Sequence, residues 1–313
     1  MPDELVPDEL AADSVAPDSL AAYALDIHRV RRSFDRAAAT YDAAAVLHTE
    51  VRDQLLARLD LMKLTPRVVV DAGAGTGHAA HALIRRYPKA TVIALDTSQR
   101  MLQAAGRRQS WLRRFGRVCA DAARLPFADG SVDLILSNLM LQWCDPDAVF
   151  AEFRRVLGAQ GLVSFTTLGP DTLRELRSAW RAADSDSSTH VNQFTDMHDI
   201  GDALIRSGFA SPVLDVERYT LTYTNVRRVA ADLKKTGAHN ATRGRARGLT
   251  GRRQFAALEQ AYEAYRQDGR LPATYEVVFG HAWAPGVAAR HSGSSGATVS
   301  LDDIKQQLRT RRR

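Results

Sequence analysis

The sequence predicts an α/β protein built on a doubly wound parallel sheet, and three observations predict it. Short β-branched, apolar runs alternate with amphipathic stretches between Val68 and Thr167, the order that builds right-handed βαβ units. The first run, Val68-Val69-Val70, passes straight into Asp71-Ala-Gly73-Ala-Gly75-Thr-Gly77, a strand feeding a glycine-rich turn at the head of a helix. Nineteen residues after Gly77 the next strand ends on an acid, Asp96. A carboxylate there can accept hydrogen bonds from both hydroxyls of a ribose.

Residues 1–26 contain seven acids and neither Lys nor Arg, and they repeat Pro2-Asp-Glu-Leu, Pro7-Asp-Glu-Leu and Pro17-Asp-Ser-Leu. So short and polar a repeat cannot bury a core, so 1–26 is expected to be an acidic disordered tail. From Ile27 apolar residues recur at three and four positions. Val30, Phe34, Ala38 and Tyr41, then Leu47, Val51, Leu55 and Leu59, predict N-terminal helices over 27–66. In the core segment, 67–168, strands are expected at Val68–Val70, Thr91–Leu95, Arg117–Cys119, Val132–Leu136 and Leu162–Thr167. Helices are expected between them at His78–Tyr87, Ser98–Arg108 and Phe150–Leu157. Beyond Gly169 the rhythm loosens. Asp171–Ala183, Met197–Ser207, Val226–Thr236 and Arg252–Gln267 suggest helices, and Val213–Val216, Tyr219–Tyr223 and Tyr275–Phe279 suggest strands. Residues 169–285 are taken as a C-terminal α+β cap completing the domain. Residues 286–313, ending Arg309-Thr-Arg-Arg-Arg313, are taken as a flexible basic tail.

Composition removes several classes of function. No stretch approaches the roughly 20 apolar residues of a membrane helix. Two cysteines, Cys119 and Cys144, make neither a disulfide framework nor a four-thiolate zinc site, and the start lacks a secretory signal, so a cytoplasmic protein is expected. Both thiols are expected in apolar surroundings with structural roles. His78 and His81 share a helix face and His198 lies between Asp196 and Asp199, but no third ligand is suitably spaced, so no metal site is expected. The net charge is +6 despite the acidic start, so the body is strongly basic and favours an anionic partner. Arg243, Arg245, Arg247, Arg252 and Arg253 form a local cluster. Aromatic residues are not interleaved among them, which argues against nucleic acid.

The glycine spacing narrows the ligand. Gly-x-Gly-x-Gly departs from the Gly-x-Gly-x-x-Gly order that cradles a dinucleotide, and His78 stands where a phosphate-binding loop carries lysine. A nucleoside without phosphates fits better, and the Asp71 carboxylate suits a cationic or amino-bearing ligand. Asp121 can take the exocyclic amine of adenine, while the Ala122 amide can donate to a ring nitrogen. The strand ends at Asp71, Asp96, Asp121 and Asn138 fall along one carboxyl edge, where open α/β sheets bind ligands.

This combination resembles the class I S-adenosylmethionine-dependent methyltransferases and their Rossmann-like sheet across residues 68–167. Asp71-x-Gly-x-Gly-x-Gly77, Asp96, Asp121-Ala122 and Leu125-Pro-Phe-x-Asp-x-Ser-x-Asp133 fall in order. Ala74 departs from the cysteine common among relatives, at a position where the backbone matters. Several flanking segments are similar to the BioC family, the malonyl-acyl-carrier-protein O-methyltransferases of biotin synthesis, over residues 29–283. They are Phe34-Asp-Arg36-Ala-Ala-Ala-Thr-Tyr41-Asp42, Ser137-Asn-Leu-Met-Leu-Gln142-Trp143, Phe165-Thr-Thr-Leu-Gly-Pro-Asp-Thr-Leu173, Asp232-Leu-Lys234-x-x-Gly237-Ala238 and Leu271-Pro-x-Thr-Tyr275.

The resemblance implies S-adenosyl-L-methionine as cofactor and malonyl-acyl carrier protein, an acidic protein, as substrate. Met101 would pack against the adenine ring, Tyr41 would act as a lid, and Gln142-Trp143 would shape the pocket wall. Arg36 or Lys234 would face the acceptor carboxylate, and the arginine cluster would steer the carrier protein. Three other readings stand beside this one. A methyltransferase for a small acid or quinone precursor would need a pocket base for a phenol or carbon acceptor. A mitochondrial relative sharing the glycine loop and the Gly-Pro-Asp-Thr-Leu segment is a respiratory-complex assembly factor with arginine-hydroxylating activity, but an Arg-rich presequence is missing here. A cofactor-binding scaffold without catalysis is the third.

Overall fold

The computed structural model describes residues 24–286 apart from 112, 185–188, 246, 247 and 249. The expected tails at 1–23 and 287–313, and Arg247 of the arginine cluster, lie outside the described residues.

Seven strands, β1 (Val68–Ala72), β2 (Thr91–Asp96), β3 (Gly116–Cys119), β4 (Val132–Ser137), β5 (Leu157–Leu168), β6 (Ala210–Tyr223) and β7 (Leu271–Trp283), form one sheet in the order β3-β2-β1-β4-β5-β7-β6. β1 to β5 are parallel, as the alternating pattern requires. The parallel arrangement ends there, because β7 runs antiparallel to both β5 and β6. These two late strands therefore extend the sheet at its edge. β7 is buried along nearly its whole length, so it lacks the polar–apolar alternation that marks a strand in sequence. The two short strands expected at 213–216 and 219–223 are one strand. Glu217 and Arg218 between them are edge positions whose charges face ion-pair partners, Arg58 and Asp171 respectively.

The single helical stripe expected from Ile27 to Leu59 divides into α1 (Ile27–Ala37), α2 (Tyr41–Ala44) and α3 (Val46–Arg58). Asp26 caps α1 by accepting the Arg29 N–H at 3.0 Å, and Leu25 pairs with Thr242 in an isolated bridge. Residues 24–26, expected in the tail, thus belong to the fold. Further helices are α4 (His78–Arg86), α5 (Gln99–Arg107), α6 (Pro146–Val156), α7 (Arg174–Ala183), α8 (Met197–Arg206), α9 (Val226–Lys235) and α10 (Arg252–Glu263). α6 starts four residues before the expected Phe150. Asp145 supplies a side-chain cap to the Asp147 N–H and Pro146 occupies the first turn, where its missing donor costs nothing. α7 starts three residues late because Leu173 takes a left-handed conformation, φ 55°.

Both faces of the sheet are covered. Val51, Leu55 and Leu83 of α3 and α4 pack on Val69 and Leu134, while Phe150, Phe153 and Leu204 of α6 and α8 pack on Val70, Ile135 and Phe165. Strand order reverses between β1 and β4, and the crevice at their carboxyl ends is where such a sheet admits a ligand. Cys119 is exposed at the end of the edge strand β3, contrary to the apolar setting expected for it. Burial pushes the Cys144 thiol up to about 12, so it is no nucleophile at neutral pH. No helix among the described residues is long and apolar enough to cross a membrane. No group of three or more His, Cys, Asp or Glu among them could hold a metal ion.

Candidate active site

The glycine loop is built by three left-handed glycines, Gly73, Gly75 and Gly77, with φ of 75°, 52° and 80°. The Gly73 and Ala74 amides donate to the Leu95 carbonyl at 2.8 and 2.9 Å, which ties the loop to the end of β2. Asp96 completes the tie. One carboxylate oxygen accepts the Gly75 N–H at 2.8 Å and the other the Ser98 N–H at 2.7 Å. Burial raises its pKa against these two bonds. Each oxygen keeps a lone pair, and Asp96 lines the cavity beside the loop.

Asp71 is placed differently from its neighbours. Its carboxylate is buried and accepts the Ala80 N–H at 2.8 Å, so it holds the first turn of α4, where the helix dipole favours an anion. Burial nevertheless pushes its pKa up to about 7. The native protein therefore binds more protons than the unfolded chain between about pH 4 and 7, and this group's contribution to stability declines as pH rises through that window. Asp71→Asn removes the titration. Its melting temperature relative to wild type, measured on cofactor-free protein, is expected to rise between pH 5 and 8; a pH-independent difference would refute the assignment.

Gly73, Gly75, Asp96, Met101, Asp121, Ala122, Asn138 and Tyr41 line one cavity of about 210 Å³. Met101 and Ala122 are buried in its wall. Asp121 is exposed and accepts the Ala123 N–H at 2.9 Å. The Asn138 side chain is fixed at both ends, accepting from the Thr166 hydroxyl at 2.9 Å and donating to the His48 carbonyl at 3.1 Å. Gly77 caps α4 and, like Asp71, does not line this cavity; Asp71 borders a small neighbouring pocket that shares Tyr41, Gly73, Gly75 and Asn138. The N-terminal helices form the outer wall. Phe34 meets Trp143 edge-on at 5.4 Å, Asp35 accepts from the Ser98 hydroxyl at 2.6 Å, and Asp42 accepts from the Thr76 hydroxyl at 2.6 Å. Burial and the Asp96 charge push the Tyr41 phenol up, so it stays protonated, with its ring 5.4 Å from that of His48.

A second cavity adjoins the first, and Leu139 and Trp143 line both. Leu176, Trp180, Leu221 and Tyr275 line its interior, with Gln142, His48 and His239. Lys234, exposed at the end of α9, also lines it. Arg36, exposed in the last turn of α1, lines neither cavity. The two candidates for the acceptor carboxylate are thus separated by position. The histidines went unrecognised in the sequence because neither stands in a motif. Burial lowers the pKa of His48 to about 4. Burial, then the charges of Arg29, Lys234 and Arg36, lower that of His239.

A family described as a methyltransferase domain matches residues 70–165. Solved structures of the YcgJ protein of Bacillus subtilis and of a putative methyltransferase of Bacillus halodurans superpose with a TM-score of 0.53 each, at 15% and 17% identity, over 74% of this chain and 97% and 99% of theirs. That likeness concerns the fold. In sequence the chain is 56% identical over 287 residues to the malonyl-acyl carrier protein O-methyltransferase of Laribacter hongkongensis, covering 89% of this chain and 96% of that protein. It is 55% identical to the enzyme of the same name from Methylovorus sp., covering 84% and 91%. At this identity over most of both chains, the chain belongs to the malonyl-acyl carrier protein O-methyltransferase family.

Proposed function

We propose that this protein transfers a methyl group from S-adenosylmethionine to the free carboxylate of a malonyl thioester held on acyl carrier protein. The observation that carries the reading is identity of 56% along almost the whole of an enzyme so named. The resulting methyl ester hides the charged end of the malonyl group, so that chain-elongating enzymes of biotin (pimeloyl) synthesis can treat it as an apolar primer.

The first cavity fits this cofactor. Gly75 has no atom within 4 Å of where a side chain would begin, leaving room for a ligand against the backbone. Asp96 can receive the ribose hydroxyls, Asp121 and the Ala122 amide the adenine edge, and Met101 its face. When bound, S-adenosylmethionine supplies an electrophilic methyl carbon on a sulfonium centre. The chain's task is then to present an oxygen to it and to keep water away. A malonyl carboxylate is ionised at neutral pH and needs no general base. A phenol or carbon acceptor would need one, and His48, with a pKa near 4, is too weakly basic for that work. Trp143 and Leu139, shared by both cavities, form the apolar passage in which the acceptor loses its water. Tyr41 closes the cofactor side.

Lys234 is the residue we assign to the acceptor carboxylate. Its cation is exposed enough to hold the anion loosely, which suits a charge that disappears on transfer. Lys234→Met is expected to lower kcat/KM for malonyl-carrier protein by roughly tenfold to a hundredfold, the value of a charge-assisted contact, with cofactor affinity unaltered in calorimetry. Full activity would transfer the role elsewhere. The reaction itself is tested by mass spectrometry of carrier protein after incubation with enzyme and S-adenosylmethionine. Malonyl-carrier protein should gain the mass of one methylene group and acetyl-carrier protein, which lacks the free carboxylate, should gain none. Equal gain on both would exclude the carboxylate as acceptor.

A further inference from the structure

We propose that the outward face of α1, together with the end of α9 and the segment that follows it, forms the docking surface for the acidic face of the carrier protein. The inference rests on the function proposed above and specifies where its macromolecular substrate sits. Arg29, Arg32 and Arg36 stand at i, i+3 and i+7 on α1, one face of the helix. Hydrogen bonds hold that helix against the stretch after α9. The Asp26 amide donates to the Ala241 carbonyl and the Arg243 amide to the Ala24 carbonyl, each at 2.9 Å. At the other end of α1, the Thr40 hydroxyl donates to the Lys235 carbonyl at 3.1 Å. Gly237 lies so close that an added side chain would press on Phe34 and Ala37 at 3.1 and 3.2 Å. The seam brings cations of α1 beside Lys234 and Arg245, and their mutual repulsion is felt at two groups. Arg245, Arg32 and Arg36 depress the Arg29 pKa after burial does, with Asp26 alone opposing them; Arg29, Lys234 and Arg36 do the same at His239.

Two features point to a partner at this patch. Several arginines elsewhere are matched with acids, as in Arg58 with Glu217, Arg155 with Glu152, Arg206 with Asp147 and Arg227 with Glu259, whereas here cations crowd together. Arg32, Arg36 and Lys234 have no salt bridge to a carboxylate among the described residues. Crowded, unmatched cations cost stability unless a partner supplies the anions. The patch also borders the acceptor cavity, since His239 and the exposed Lys234 line that cavity. A carrier protein seated here would have its acyl arm beside it. The surface is therefore assembled from two segments more than 190 residues apart in sequence, and it differs from the cluster of arginines at 243–253. Of those, Arg245 reaches the patch, while Arg252 and Arg253 begin α10.

The test is Arg32→Glu, at an exposed position that lines neither cavity. Binding of holo-carrier protein, without an acyl group, would be measured at low and at high salt, with turnover of malonyl-carrier protein and of malonyl-pantetheine followed in parallel. The variant is expected to bind the carrier protein roughly tenfold more weakly at low salt, with the difference shrinking as salt screens it. Arg32→Lys should bind as wild type does, and S-adenosylmethionine affinity should be unaltered, which controls for folding. Carrier-protein affinity equal to wild type at low salt would overturn the docking surface while leaving the methyl transfer standing. Failure of the wild type to methylate malonyl-carrier protein would instead remove the function on which the surface depends.

Discussion

Asp96→Ala is expected to weaken S-adenosylmethionine binding by at least about a hundredfold in calorimetry, roughly 2.7 kcal/mol. Two losses add to that figure. The ribose hydroxyls lose a charged acceptor, and a hydrogen bond to a charged group contributes about 1.5–3 kcal/mol. The protein also loses the acceptor for the Gly75 and Ser98 amides, so the glycine loop is no longer fastened to the end of β2 in the shape that receives a ligand. Asp96→Asn separates these contributions. The amide retains one acceptor oxygen with two lone pairs, so it can serve one backbone amide and one hydroxyl but not two of each, and an intermediate affinity follows. The loop is partly solvent-facing, so Asp96→Ala should lower the melting temperature far less than it lowers affinity. Affinity within threefold of wild type would mean that Asp96 organises the loop without touching the cofactor.

The cavity proposed for the cofactor was legible in the sequence for a physical reason. Strand, glycine turn and following helix are contiguous, so Gly73 and Gly75 have their conformations dictated locally, and Asp96 is a fixed distance away because one βα unit has a standard length. Even there, spacing could not separate roles within the motif. Asp71 and Gly77 belong to the same run of residues, yet one fastens α4 and the other permits α4 to approach α5. The cavity proposed for the acceptor was much less legible. His48, Trp180, Lys234 and His239 come from segments nearly 200 residues apart, and the fold brings them to one cavity that Leu221 of β6 and Tyr275 of β7 also line. β7, buried on both faces, carries no alternation from which its neighbours could be inferred. The same limit applies to charge. A count along the chain favoured residues 243–253, where arginines are adjacent in sequence, whereas the field at His239 comes from Arg29, Arg36 and Lys234, which the fold makes adjacent.

Valine introduced at positions 75 and 77 should have opposite consequences, although both glycines share a left-handed backbone and both substitutions carry the same penalty for it. At Gly77 the new side chain would meet Ala105 Cβ at 2.7 Å and the Phe115 ring at 3.1 Å. Ala105 is fully buried on α5 and cannot withdraw without moving that helix off the sheet. At Gly75 nothing lies within 4 Å, because the space is the cavity itself. The backbone strain cancels between the two variants, so Gly77→Val should be less stable than Gly75→Val by about 1–3 kcal/mol in denaturant unfolding, the usual cost of overpacking. Gly75→Val should fold with its secondary structure intact and yet lose S-adenosylmethionine, since its methyl groups occupy the volume against which the ligand's backbone-facing side must lie. Wild-type affinity in Gly75→Val would show that the open space beside this glycine is not where the cofactor binds, and equal stability of the pair would show that α5 yields more readily than its burial suggests.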